Sequence, residues 1–172
     1  LNQGDLDTFE SVLHVARLQN LNDKCYITSY ALLKLMGLTD SGKNRATLHT
    51  RITRLVATAV DVKSGQYSYI GSLITEAAKD ELTSEWVITL NPKLCILFSS
   101  DQFTLVDWGV RQALTGKPLA QWLHGFYASH AAPYPMRVET LHKLCGSDAR
   151  VMSDFTKTLR NALDAVKAAC KG

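Results

Sequence analysis

The stretch YPMRVETLHKLCGSDARVMSDFTKTLRNALDAV, residues 134–166, changes its period twice around a single glycine. Pro133 and Pro135 each push the preceding residue out of helical geometry, so APYPMRV reads as extended. ETLHKLCG then reads as a short helix closed by Gly146, a residue free to take the left-handed backbone just past a helix end. A longer helix follows, with Ser147 or Asp148 as its cap and an end near Ala169. Phe155, Leu159, Ala162 and Val166 recur at helical spacing and gather on one side. The other side collects Arg150, Ser153, Asp154, Lys157, Arg160, Asn161 and Asp164. Short helix, tight turn and longer helix make a helix-turn-helix, whose second helix lies in a DNA major groove. The outward residues have the required chemistry: Arg pairs with guanine, Asn with adenine, and Ser and Lys hold phosphate. Asp154 and Asp164 oppose phosphate unless they meet a cytosine amino group or point away.

The same pattern occurs earlier in the chain. Leu32, Lys34, Leu35 and Gly37 match Leu141, Lys143, Leu144 and Gly146 at a constant offset of 109. With a turn two residues shorter, Leu48, Ile52 and Leu55 fall on Phe155, Leu159 and Ala162. ITSYALLKLMG reads as a helix ended by Gly37, and a further helix is expected over about 45–60, with Leu48, Ile52, Leu55 and Ala59 inward. Its outer face is Lys43, Ala46, Thr47, Thr50, Thr53 and Arg54, flatter and less charged than the later one. Ahead of both, LDTFESVLHVARLQ reads as an amphipathic helix capped by Asp7 or Thr8.

Beyond these helices, Tyr67, Tyr69, Ile70, Leu73 and Ile74 favour a strand, AKDELTS a turn, and Trp86, Val87, Ile88 and Leu90 a second strand. Three helices followed by a hairpin is the order of a winged helix. KLCILF is expected to pack under the hairpin. From Asp101 the arrangement begins again with FTLVDWGVRQAL and a long helix in KPLAQWLHGFYASH that opens at Pro118. The expected fold is α+β and mainly helical, with two tandem winged-helix domains at 1–100 and 101–172, the second lacking its C-terminal wing.

Composition narrows the function. At 172 residues and 46% hydrophobic, the chain can fill two small cores. The net charge of +3 is modest, but residues 1–100 hold ten basic and ten acidic side chains and residues 101–172 nine and six, so the excess lies in the second half. Cys25, Cys95, Cys145 and Cys170 form no C-x-x-C pair and read as reduced, mostly buried thiols. His124 and His130, six apart, diverge on a helix and chelate poorly. No metal site or cofactor is expected. Without a long apolar run or a signal peptide, a soluble cytoplasmic protein is expected, and the start at Leu1 reads as a fragment of something longer. Nuclease or nicking chemistry needs clustered carboxylates or histidines. The acids here are dispersed and Tyr127 has only His124 and His130 nearby, so no enzyme is expected. Trp108, Trp122, Phe126 and Tyr127 have the spacing of core residues more than of a nucleotide-stacking platform.

GKPLAQWLHGFYASHAAPYPMRVETLHKLCGS, VMSDFTKTLRNALDAVKAA and ITLNPKLCILF closely resemble the TrfA-type plasmid replication initiators. The resemblance implies tandem winged helices that bind repeated origin sites (iterons) as duplex, with single-stranded origin DNA as a further ligand. It also implies origin opening and recruitment of the host initiator DnaA, the replicative helicase and the sliding clamp. A balance of dimers and active monomers is implied too; separately from the resemblance, the apolar hairpin and the low charge of residues 1–100 suit a homodimer formed through the first domain. Carried onto this chain, the DNA-reading residues are Arg150, Ser153, Lys157, Arg160 and Asn161 in the second domain and Lys43, Thr47, Thr50 and Arg54 in the first. The family's clamp-binding region would precede Leu1, and QFTLV at Gln102 is a poor substitute. The alternative reading is a winged-helix transcriptional regulator, or a protein-interaction and dimerisation module.

Overall fold

A computed structural model describes residues 1–19, 23–64, 67–93, 104–132 and 134–171. The chain divides into two compact units, Leu1–Phe103 and Thr104–Gly172. The expected role of KLCILF beneath the hairpin falls almost wholly outside the described residues.

The first unit begins with α1 (Gln3–Leu18). Asn2 is its cap rather than Asp7 or Thr8: the Asn2 side chain accepts from the Asp5 N–H (3.2 Å) while the Asp5 carboxylate accepts from the Asn2 N–H (2.8 Å). This reciprocal box satisfies two open donors and starts the helix five residues early, which leaves Thr8 buried with its hydroxyl donating to the Gly4 carbonyl. Strand β1 (Lys24–Thr28) then takes residues assigned above to a helix, and only Ser29–Leu35 form α2. Cys25 and Ile27 face inward and Tyr26 outward, the alternation of a half-buried strand. Helix α3 (Gly42–Ala57) is capped by Ser41, and Leu48, Ile52 and Leu55 are its buried row.

Ala59 is not on that row, since the helix stops and a hairpin of β2 (Ala59–Ser64) and β3 (Tyr67–Ser72) follows. After it come β4 (Ile74–Lys79) and β5 (Glu85–Leu90). The sheet order is β1-β5-β4, all antiparallel, and β2-β3 forms a separate pair. Without that pair, α1-β1-α2-α3-β4-β5 is the order of a winged helix, so β2-β3 is an insertion between the recognition position and the wing. Trp86 fixes the wing to the helices by donating from its indole to Ser29 Oγ (3.0 Å), and Ser29 N–H donates to the Ser84 carbonyl (2.9 Å). Val12, Leu32, Leu48, Ile52 and Ile88, each at most 1% exposed, lie at the centre of the core. Burying one such side chain contributes about 1.5–3 kcal/mol.

The second unit contains α4 (Trp108–Ala113), α5 (Pro118–Ala128), α6 (Val138–Leu144) and α7 (Met152–Ala169), with no strand among its described residues. Helix α7 packs on α4, α5 and α6. Leu114, Leu123, Leu141, Phe155 and Leu159 are its buried centre. Trp122, Phe126 and Tyr127 pack against that core, as their spacing suggests. Neither Ser147 nor Asp148 caps α7: Val151 holds the cap position without a side-chain hydrogen bond. The Ser147 hydroxyl accepts instead from the Ala149 N–H (3.3 Å) within the turn.

The repeat is visible in backbone detail. Helices α2 and α6 begin at Ser29 and Val138 and end at Leu35 and Leu144, an offset of 109 at both ends. Gly37 and Gly146 both take positive φ, +70° and +63°. In the first unit Leu38 N–H donates to Leu33 O (2.8 Å) and Gly37 N–H to Lys34 O (3.0 Å). In the second, Ser147 N–H donates to His142 O and Gly146 N–H to Lys143 O, both at 3.2 Å. Each pair of bonds caps the open carbonyls of the short helix and sets the angle at which the next one leaves.

Candidate nucleic-acid interface

Helices α3 and α7 occupy the recognition position of the two units, and their outer faces differ. On α7, Ser153, Lys157, Arg160, Asn161 and Asp164 are exposed on the side opposite buried Phe155, Leu159 and Ala162. Arg150 is also exposed, in the turn ahead of the helix rather than on it. None of these side chains has a hydrogen bond or ion pair among the described residues, so the Lys157 and Arg160 charges and the Asn161 amide are available. Asp154 and Asp164 share this surface and limit how closely phosphate can approach.

The helix holding them is fixed from behind. His142, half-buried on α6, has Nε2 2.9 Å from the Ala149 carbonyl, and its ring stands edge-on to Phe155 at 4.7 Å between centroids. A carbonyl partner requires the proton on Nε2. His142 therefore locks the turn into α7, where no side chain caps the helix. The repeat offset pairs His142 with Leu33, and that departure from an apolar residue is the sequence signal of its role.

On α3 two of the three arginines, Arg45 and Arg54, are engaged in ion pairs within the protein. The Arg54 guanidinium holds the fully buried Asp5 carboxylate, with Nη2 to Oδ1 at 2.6 Å and Nε to Oδ1 at 3.1 Å. Arg54, expected above as a DNA-reading residue, clamps α1 to α3: a buried carboxylate requires a partner, and this cation supplies it. Burial acts to raise the Asp5 pKa, but hydrogen bonds from Arg54 and the Asn2 backbone, together with the Arg54 charge, outweigh it and leave the pKa below 3.8. Arg45 forms a two-pronged pair with Asp40 (2.6 and 2.8 Å) and donates to Ser84 Oγ (3.3 Å). The hydrogen bond from Arg45, followed by its charge, holds the Asp40 pKa below its ordinary value.

Lys43 is exposed and unpaired among the described residues. Thr47 and Thr50 are exposed, and their hydroxyls donate to the Lys43 and Ala46 carbonyls (2.9 and 3.0 Å). Arg54, Arg45 and His142 were missed as structural residues because their partners are set by the fold. Asp5 and Arg54, for example, lie 49 residues apart.

Among the described residues no group of three or more His, Cys, Asp or Glu is placed to hold a metal, and no helix is long and apolar enough to cross a membrane. Of the described cysteines only Cys25 is buried, its pKa pushed up to about 11 by that burial; Cys145 is half-buried and Cys170 exposed, so the expectation of mostly buried thiols is corrected.

Two helix-turn-helix units with the same turn, the first carrying a wing, define a tandem winged-helix protein. Two solved structures of domains 2 and 3 of RctB share this fold, with TM-scores of 0.66 and 0.63 at 16% and 15% identity, each matching 94% of this chain and 68% or 67% of theirs. The chain belongs to the TrfA protein family, whose profile matches residues 2–171. The plasmid replication initiator protein TrfA of Escherichia coli is 23% identical over 164 residues, which cover 92% of this chain and 42% of that protein.

Proposed function

We propose that this chain binds the iterons of a plasmid origin as duplex DNA, with α7 as its main reader and α3 as a second, weakly charged one. The observation that carries this reading is the unpaired polar face of α7, held outward by a core and turn that recur in the first unit. Membership of the TrfA family supports the assignment to replication initiation. By the same likeness the chain acts in the bacterial cytoplasm, promotes origin opening, engages the exposed single strand, and recruits DnaA, the replicative helicase and the sliding clamp. It works by binding, without catalysis or cofactor.

Selection of bound duplexes from a random pool tests the reading. One enriched motif, bound with a log affinity that falls about 0.9 per phosphate contact against log salt, is expected. A pool that emerges without enrichment would sink it, and metal-dependent nicking by the purified protein would restore an enzyme. A second reading applies to the first unit, whose inserted β2-β3 hairpin carries Ile70 at 74% exposure: this hairpin joins two copies. Mass measurement with and without iteron DNA separates the roles, because a dimer that persists on DNA through the first unit makes that unit an interface rather than a reader.

A further inference from the structure

Resting on that reading, we infer that the first unit reads thymine methyl groups, through Thr47 and Thr50 with Ala46 beside them. Helix α3 holds the recognition position independently of its composition, because the glycine turn before it and the buried row behind it match those of α7. Its face is nonetheless unlike that of any phosphate-gripping helix. Arg54 is held by Asp5 and Arg45 by Asp40, and the Arg51 guanidinium lies against Gly4 of α1 on the flank of the helix, which leaves Lys43 as the unpaired cation on this face, at its N-terminal end.

The middle of the face is Ala46, Thr47, Thr50 and Thr53, all exposed. Each threonine has already given its hydroxyl proton to the carbonyl four residues back, at 2.9, 3.0 and 2.9 Å. A phosphate oxygen only accepts, so a threonine in this state offers it nothing. What remains toward a groove is methyl groups and hydroxyl lone pairs. In the major groove thymine alone presents a methyl, at C5, and Ala and Thr methyls are the side-chain groups that contact it. Short side chains also let the helix axis approach the base edges closely, as methyl contact requires. The two units thus discriminate by different chemistry, α7 by directed hydrogen bonds and α3 by apolar contact.

The test is a uracil scan. In the duplex enriched by selection, each thymine is replaced singly by deoxyuridine, which removes only the C5 methyl, and affinity is measured for the whole chain. Wild type is expected to lose about threefold to fivefold at two or three clustered positions, the worth of one buried methyl each. The Thr47→Ser, Thr50→Ser variant keeps the hydroxyls and drops the methyls, and should bind the thymine and uracil duplexes alike at those positions. Thr50→Val keeps a methyl without the hydroxyl and should retain the preference, which excludes a hydroxyl role. Tight binding with no uracil-sensitive position, or a sensitivity that the serine variant leaves unchanged, overturns the inference while the proposed function stands. Failure of the whole chain to bind any duplex overturns both.

Discussion

Arg54 in the first unit and Arg160 in the second lie on corresponding helices, yet one is spent on a buried carboxylate and the other is exposed and unpaired among the described residues. The two units share a turn, a short helix and a three-residue buried row. They differ in what packs beside the second helix. In the first unit α1 packs on α3 and brings Asp5 to Arg54, so part of the outer face becomes an internal joint. In the second, α4, α5 and α6 pack on α7 and leave its polar side open. The lesson is that a repeat fixes where a helix lies, and the neighbours decide which of its charges remain for a ligand.

The largest effects should come from the row the units share. Leu48→Ala and Phe155→Ala each remove a side chain at most 2% exposed, and are expected to cost about 2–5 and 3–5 kcal/mol respectively. Urea unfolding followed by a probe in each unit checks this. Loss confined to the mutated unit sharpens the picture of two cores; simultaneous loss in both breaks it.

Next in size is Arg54→Ala, which leaves the Asp5 carboxylate buried without its partner. At neutral pH the melting temperature of the first unit should fall by about 5 °C or more. The Asp5 pKa is lowered in the folded state, so the stability it contributes is present above its ordinary value of 3.8 and is lost as pH falls through the folded value. Wild type and variant should therefore converge toward acid pH. A gap that is independent of pH would mean that Arg54 supports the unit by packing alone, and would return its charge to the candidate readers.

The two helix-turn-helices were legible because their signals are local. Gly37 and Gly146 mark the turns, and Leu48, Ile52 and Leu55 repeat the spacing of Phe155, Leu159 and Ala162. The strands flanking them were not. Residues 24–28 run directly into α2, so Ile27 and Thr28 read as its first turn, and their strand exists because Cys25 and Ile27 pair with Ile88 and Trp86 far along the chain. Ala59 extends the row of Leu55 by four residues and so imitates helix, whereas Val60 and Val62 alternate only in a strand paired with β3. On the candidate interface, exposure could be read from the helical wheel, and the α7 residues lie outward as it predicts. Which cations stay free could not, because Asp5 reaches α3 only through tertiary packing.

Smaller effects concern the faces themselves. Arg160→Ala should weaken binding of the selected site by about 1–3 kcal/mol and relax preference at one base pair. Lys157→Ala should weaken all duplexes alike and reduce the salt slope by about 0.9. Competition binding against single-base variants of the site separates these outcomes. If both changes act uniformly, α7 grips the backbone and does not read sequence, and the contrast with α3 loses its main term.

The smallest change acts on the other side of the comparison. Asp40→Asn removes the carboxylate that holds Arg45 and leaves a near-isosteric amide, so the fold should tolerate it: the pair is exposed, and exposed pairs contribute little to stability. Its consequence should appear on DNA. A released Arg45 near the start of α3 adds a cation beside Lys43, and if it reaches a phosphate the salt slope should steepen by up to about 0.9, with affinity rising for cognate and random duplexes alike. Such a gain would mean that the weak charge of the first face is imposed by Asp40 rather than by the helix itself. An unchanged slope would place Arg45 away from the duplex, and would leave Lys43 and the threonine face as the contact surface of the first unit.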